Sequence, residues 1–163
     1  MRMNPEARGR MVVYITFAIA LVLSVVPVPN WAEPFIPDWV ALTLIYWCMA
    51  TPDRVSVGTG WVLGLILDVL YGSLLGQHAL ALSVVSFVTV KMHLKFRMFP
   101  RWQQAVSVLI LLAINQLLVI WIRGIIGQAP ETIAYWTPSI VGMILWPWLF
   151  VVLRDVRRRG KVT

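Results

Sequence analysis

The sequence predicts an all-α, polytopic membrane protein of six transmembrane helices, with both ends on the cytoplasmic side. Three observations predict it. Of 163 residues, 60% are hydrophobic and 13% charged, against roughly 45–50% and 25% in a soluble domain. The apolar residues fall in runs separated by short segments rich in proline, charge or tryptophan. Every lysine and arginine except Arg123 falls in segments that alternation places on one side of those runs. A chain this short cannot hide so much apolar surface in one aqueous core, because small domains bury a limited share of their surface. Its length gives one membrane domain, residues 1–163, with no room for a separate enzyme.

The elements follow in order. Arg2, Arg8 and Arg10 precede an apolar stretch, as in a signal peptide, but Pro27-Val28-Pro29-Asn30 stands where a small-residue cleavage site belongs. The expectation is an uncleaved first span over 11–28. Pro29, Pro34 and Pro37 make the next connection extended or turn-like, since proline lacks a backbone donor. Asp38 reads as the N-cap of a short second span, 36–51, with Trp39 at the interface. Pro52-Asp53-Arg54 forms a turn before the third span, 57–75. The fourth, 77–90, is again short. Lys91, Lys95, Arg97 and Arg101 fill a basic segment before the fifth span, 102–122. A loop with Pro130 and Glu131 leads to the sixth, 138–153, where Pro147 is expected to kink the helix. Arg154, Arg157, Arg158, Arg159 and Lys161 form a basic tail. A bilayer core of about 30 Å takes roughly 20 helical residues. Spans two, three and four are therefore the poorest fits, and a re-entrant or distorted segment would lie among them.

Charge orients the spans. The side opposite the basic segments holds Arg123 with Glu33, Asp38 and Glu131. By the positive-inside rule both termini are cytoplasmic, which requires an even number of crossings. Trp31, Trp39, Trp121 and Trp136 fall near the outer interface, and Trp61 and Trp102 near the inner one, as an aromatic belt requires. The net charge of +7 therefore reads as membrane orientation, and nucleic acid is not an expected partner.

The third span carries Gly60, Gly64, Asp68, Gly72 and Gly76, four residues apart, which form one slowly drifting stripe on a helix. Small residues at this spacing let a second backbone approach closely, so the stripe reads as a helix-packing or partner seam. Asp68 stands out, because a mid-span carboxylate costs about 2.5–3.5 kcal/mol on insertion scales and usually serves something. It can bind a cation or proton, hydrogen-bond across the seam, or meet a partner helix. Companions in reach by depth are Asn115, Gln116, His78, Tyr46 and Tyr71. No second acidic or basic residue is expected at that depth, which favours packing or partner contact over transport. Trp146 and Trp148 around Pro147 offer an aromatic surface for packing or a partner. Cys48 is a lone cysteine in an apolar run, and His78 and His93 have no companions at metal spacing. No catalytic set, cofactor site or metal site is expected.

Several short motifs together resemble a known family. Pro37-Asp38-Trp39, Tyr46-Trp47, Pro52-Asp53-Arg54-Val55 and Val57-Gly58-Thr59-Gly60 lead into Gly64, Leu67-Asp68 and Gly72. Trp102-Gln103-Gln104-Ala105 and Leu145-Trp146-Pro147-Trp148 follow before the basic tail. From Arg10 to Arg158 their order and spacing resemble the MreD family of rod shape-determining proteins. The resemblance implies a non-enzymatic subunit of the elongasome in the bacterial inner membrane. Its implied partners are the bitopic protein MreC, a second copy of itself, the actin-like MreB, and the RodA glycosyltransferase with its penicillin-binding transpeptidase. The implied role is to support lateral peptidoglycan synthesis and cell shape. The implied fold is similar to that of the substrate-binding subunits of energy-coupling-factor transporters, although fold alone does not give function. On this reading Lys91, Lys95, Arg97, Arg101, Arg157, Arg158 and Arg159 meet anionic headgroups, each worth about 1 kcal/mol near an anionic surface. The rival reading is a substrate-binding subunit of a vitamin-type transporter. It needs a polar cavity open to the outside, and the two outer loops are short for a lid.

Overall fold

A computed structural model describes residues 2–128 and 133–160. Pro130, Glu131 and Lys161 lie outside the described residues. Among those described the chain is helical: α1 (Pro5–Val25), α2 (Trp39–Ala50), α3 (Val57–Tyr71), α4 (Gln77–Lys91), α5 (His93–Met98), α6 (Arg101–Ile125) and α7 (Thr137–Gly160), with 3-10 turns at Glu33–Phe35 and Ile133–Trp136. Helices α1, α6 and α7 are long and apolar enough to cross a membrane. Helices α2, α3 and α4 have 12, 15 and 15 residues. They extend only about 18–22 Å, short of a core of about 30 Å.

Helix boundaries depart from the expected spans for local reasons. Asn4 caps α1 through the Glu6 amide and Pro5 supplies a pre-set first turn, so α1 starts well before residue 11. Gly72 takes φ 63 and ends α3, short of residue 75. Helix α7 continues through the arginines to Gly160, past residue 153, because basic side chains suit a helix C-terminus. The basic segment contains α5, a short helix that apolar periodicity does not reveal.

The organising element is α2. Every residue from Val40 to Met49 is buried, and α2 packs against α1, α4, α5, α6 and α7. A helix that is apolar all round belongs in an interior. Such a helix must satisfy its end groups without water. At its start the Asp38 carboxylate accepts from the Ala41 amide at 3.1 Å. At its end Arg97 reaches from α5, donating Nε to the Met49 carbonyl at 2.8 Å and Nη2 to the Ala50 carbonyl at 2.6 Å. A negative group at the first turn and a positive group at the last both complement the helix dipole.

Around α2 the aromatic core is pinned by side-chain bonds. Trp47 Nε1 donates to Thr16 Oγ1 on α1 at 2.9 Å. Trp146 is fully buried, and its Nε1 donates to Gln104 Oε1 on α6 at 3.0 Å. Gln104 Nε2 in turn donates to the Phe96 carbonyl of α5 at 3.1 Å. One buried amide thus joins three helices. Gly142 admits α6 to α7, since a Cβ there would stand 2.6 Å from Leu112 Cδ1.

Arg97 provides a first test of this frame. Arg97→Met keeps the stem and removes both donors to the α2 carbonyls. It is expected to lower stability by about 2 kcal/mol, since two bonds from a charged donor are lost and one of them is exposed, with Arg97→Lys recovering part of the loss. Thermal unfolding in detergent checks it.

Candidate functional site

Helices α3 and α4 form the tightest pair in the molecule. Gly60 and Gly64 face α4 directly. A Cβ on Gly60 would stand 2.8 Å from the Leu82 carbonyl oxygen and would overlap Ser86 Oγ. One on Gly64 would overlap the backbone of Ala79. Both glycines exist to let backbone meet backbone.

The stripe does not continue as the spacing predicts. Gly72 and Gly76 take φ 63 and 100 and have open space where a Cβ would go. They shape the turn between the helices and pack against nothing. Left-handed backbone of this kind favours glycine.

Asp68 lies at the end of the seam, 1% exposed, and fastens this turn. Its Oδ1 accepts from Ser73 Oγ at 3.0 Å, from the His78 amide at 2.9 Å and from His78 Nδ1 at 2.8 Å. Its Oδ2 accepts from the Gly76 amide at 2.8 Å. A side chain of α3 therefore supplies the missing acceptors for the first turn of α4. Negative charge at a helix N-terminus is favourable. Of the companions considered, His78 is the one that meets Asp68. Because the carboxylate accepts, the proton between them is assigned to His78 Nδ1.

Asn115 and Gln116 on α6 act elsewhere. Asn115 Nδ2 donates to Asp38 Oδ2 at 3.1 Å, while Gln116 Nε2 donates to the Tyr135 carbonyl at 2.8 Å and Ser139 Oγ donates to Gln116 Oε1. Tyr46 packs on Phe150, ring centroids 5.5 Å apart, among Arg97, Gln104 and Arg157 at the opposite end of the molecule. The link to Asn115 also corrects the depth of Asp38. Asn115 stands ten residues before the end of α6, about 15 Å along its axis. The start of α2 is thus well inside the bundle, and Asp38 and His78 line one cavity. A second carboxylate does reach that region, which the sequence reading did not expect. Tyr135, outside the spans, lines the same cavity. Burial raises its phenol above the ordinary value, so it stays protonated at neutral pH.

The remaining predicted residues separate into core and surface. Trp146 is core. Pro147 is half-buried within α7. Trp148 is 60% exposed and walls an apolar groove of about 420 Å3 between α1 and α7, with Ile19, Leu23 and Val152 beside it and Thr43 of α2 at its base. Lys91, Lys95, Arg97, Arg101, Arg158 and Arg159 are exposed and Arg157 is half-buried. Arg97 differs from the rest, because its guanidinium is engaged by α2. Arg101 lies over the Phe150 ring at 5.2 Å. Gln104, the Asp38–Asn115 bond and the Arg97 lock were not singled out from sequence. The polar pair Gln103-Gln104 one turn into an apolar helix was the one available signal.

Comparisons with known proteins agree with this arrangement of motifs. Residues 6–156 match the family described as rod shape-determining protein MreD. A relative from Haemophilus influenzae, named rod shape-determining protein MreD, is 35% identical over 150 residues, covering 90% of each chain. No solved structure matches the chain. Since the family match spans nearly the whole sequence, the chain belongs to the MreD family of rod shape-determining proteins.

Proposed function

We propose that the protein is a non-enzymatic scaffold of the rod-shape complex in the bacterial inner membrane. It crosses the bilayer six times, with α2, α3 and α4 as the three short crossings and both termini in the cytoplasm. That crossing order is the one the family resemblance implies. It binds a bitopic MreC-type protein, with a second copy of itself as the other candidate occupant of the same surface. Through that complex it supports peptidoglycan synthesis by RodA and its transpeptidase along MreB filaments. The exposed basic side chains bind anionic headgroups on the cytoplasmic face.

The observation that carries this reading is how the intramembrane polar groups are used. Asp68, His78, Asn115, Gln116 and Gln104 bond to helix ends and to neighbouring helices. The groove beside Trp148 is lined almost wholly by apolar side chains of α1, α2 and α7, which suits an apolar helix. Small and β-branched residues at its base, Ala20 and Thr43, favour close helix approach in lipid.

Detergent pull-down with identification of the bound chains tests it. The expected result is recovery of a bitopic partner, and its loss on Trp148→Asp with unfolding of the purified chain unchanged. A chain that purifies without any partner, from cells whose rod shape does not depend on it, overturns the reading.

A further inference from the structure

The cavity that holds Asp38 lies at the end of the molecule where α1, α3 and α6 finish and α2, α4 and α7 begin. Ser24, Tyr71 and Arg123 come from the three finishing helices, and Asp38, His78 and Pro138 from the beginnings of the other three. Its volume is about 430 Å3, within the range of roughly 300–1,000 Å3 typical of small-ligand pockets. None of the helix-packing roles described above requires an open space here.

The floor is rich in acceptors; of the fixed charges lining the cavity, Asp38 and Glu33 are acidic and Arg123 is basic. Asp38 accepts on both oxygens, from the Ala41 amide and from Asn115 Nδ2. Both donors are neutral. Among the described residues no lysine, arginine or histidine nitrogen lies within 4.0 Å of the Asp38 carboxylate, and His78 meets Asp68 instead. A carboxylate inside a membrane domain without a counter-charge is costly, and the N-terminus of α2 supplies only about half a charge. Beside it, Asn115 is 3% exposed and its Oδ1 is buried with no hydrogen-bond partner among the described residues. A buried acceptor left empty is costly. His78 adds a third acceptor in its neutral form. With Nδ1 donating to Asp68, its Nε2 carries a lone pair.

We propose that this cavity binds a small organic ammonium ligand, whose N–H groups donate to Asn115 Oδ1 and to the Asp38 carboxylate. A metal ion does not fit, because among the described residues no three His, Cys, Asp or Glu side chains converge. Water satisfies Asn115 Oδ1 but brings no positive charge to the Asp38 carboxylate. Tyr71 and Tyr135 line the walls, and aromatic faces attract a desolvated cation. Arg123 stands on the same face of α6 as Gln116, two turns further out, where it meets any acidic group on the ligand. The favoured ligand is therefore zwitterionic, with the amine inward and the acid outward. The proposal does not depend on the scaffold reading, since it concerns the isolated chain.

The experiment uses the purified full chain in lipid nanodiscs, with 6-aminohexanoate, cadaverine and hexanoate as probes in calorimetric titration. Both amines are expected to bind, and hexanoate is not. Asp38→Asn keeps an N-cap of equal quality and removes the charge; it is expected to weaken amine binding at least tenfold, about 1.4 kcal/mol. If that variant unfolds earlier than the parent, Asn115→Ala provides the same comparison at the neighbouring acceptor. The proposal is overturned if neither amine binds at about 10 mM, where even affinities near −3 kcal/mol register. Equal binding of hexanoate, or amine binding unchanged in the variants, overturns it as well.

Discussion

Asp68→Leu is expected to remove about 3–5 kcal/mol of stability and, with it, assembly of the rod-shape complex. The estimate follows from what the carboxylate holds. Leucine leaves the Gly76 and His78 amides, His78 Nδ1 and Ser73 Oγ without their acceptor. Most of these groups sit in a water-poor region, where an unmade hydrogen bond costs far more than a made one returns. Asp68→Asn separates charge from hydrogen bonding. The carboxylate uses both oxygens, whereas an amide offers one oxygen and turns a donor toward the other site. Asparagine is therefore expected to fall between the two, losing about 1–2 kcal/mol. Thermal unfolding in detergent gives the order, and pull-down with cell-shape complementation gives its functional consequence. A leucine variant as stable as the parent would remove Asp68 from the α4 cap. An asparagine variant as damaged as leucine would show that the charge itself acts beyond its bonds.

Much of this arrangement is legible in the sequence, and the illegible part has a common physical cause. Apolar run length, charge asymmetry and proline placement locate every long helix, since each is a property of one segment and its solvent. The N-cap role of Asp38 is legible for the same reason, because a cap and its helix are neighbours in sequence. What a segment does to another segment is harder to read. Asp68 looks like a mid-helix residue when the stripe is extended to Gly76. It becomes a cap once α3 stops at Tyr71 and the chain reverses within five residues. Arg97 reads as one more orienting charge, since nothing local reveals that it meets α2 carbonyls 47 and 48 residues away. The depth of Asp38 is hidden likewise. Trp39 beside it suggests the interface, but Asn115 holds the pair inside the bundle.

The glycines of the third span give the second large effect, because one substitution is expected to have three outcomes within twenty residues. Gly64→Ala places a methyl into the backbone of Ala79. No side chain can turn aside to receive it, so α3 and α4 must separate, at a cost of about 3 kcal/mol, the upper end for overpacking. Gly72→Ala meets open space but keeps φ 63, a conformation that costs an L-residue about 1–2 kcal/mol. Gly58→Ala also meets open space, has ordinary helical backbone, and is expected to be neutral or stabilising by up to about 1 kcal/mol. Thermal unfolding of the three variants ranks them. A Gly64→Ala variant no less stable than Gly58→Ala would leave only the propensity gain and remove the seam from the account. The seam and the cap also belong to one hairpin, so the losses from Gly64→Ala and Asp68→Leu should sum to more than the double variant loses. Once separation of α3 from α4 has pulled the His78 and Gly76 amides off the carboxylate, removing that carboxylate costs little more, and this shortfall from additivity is what identifies close packing and capping as parts of a single interaction.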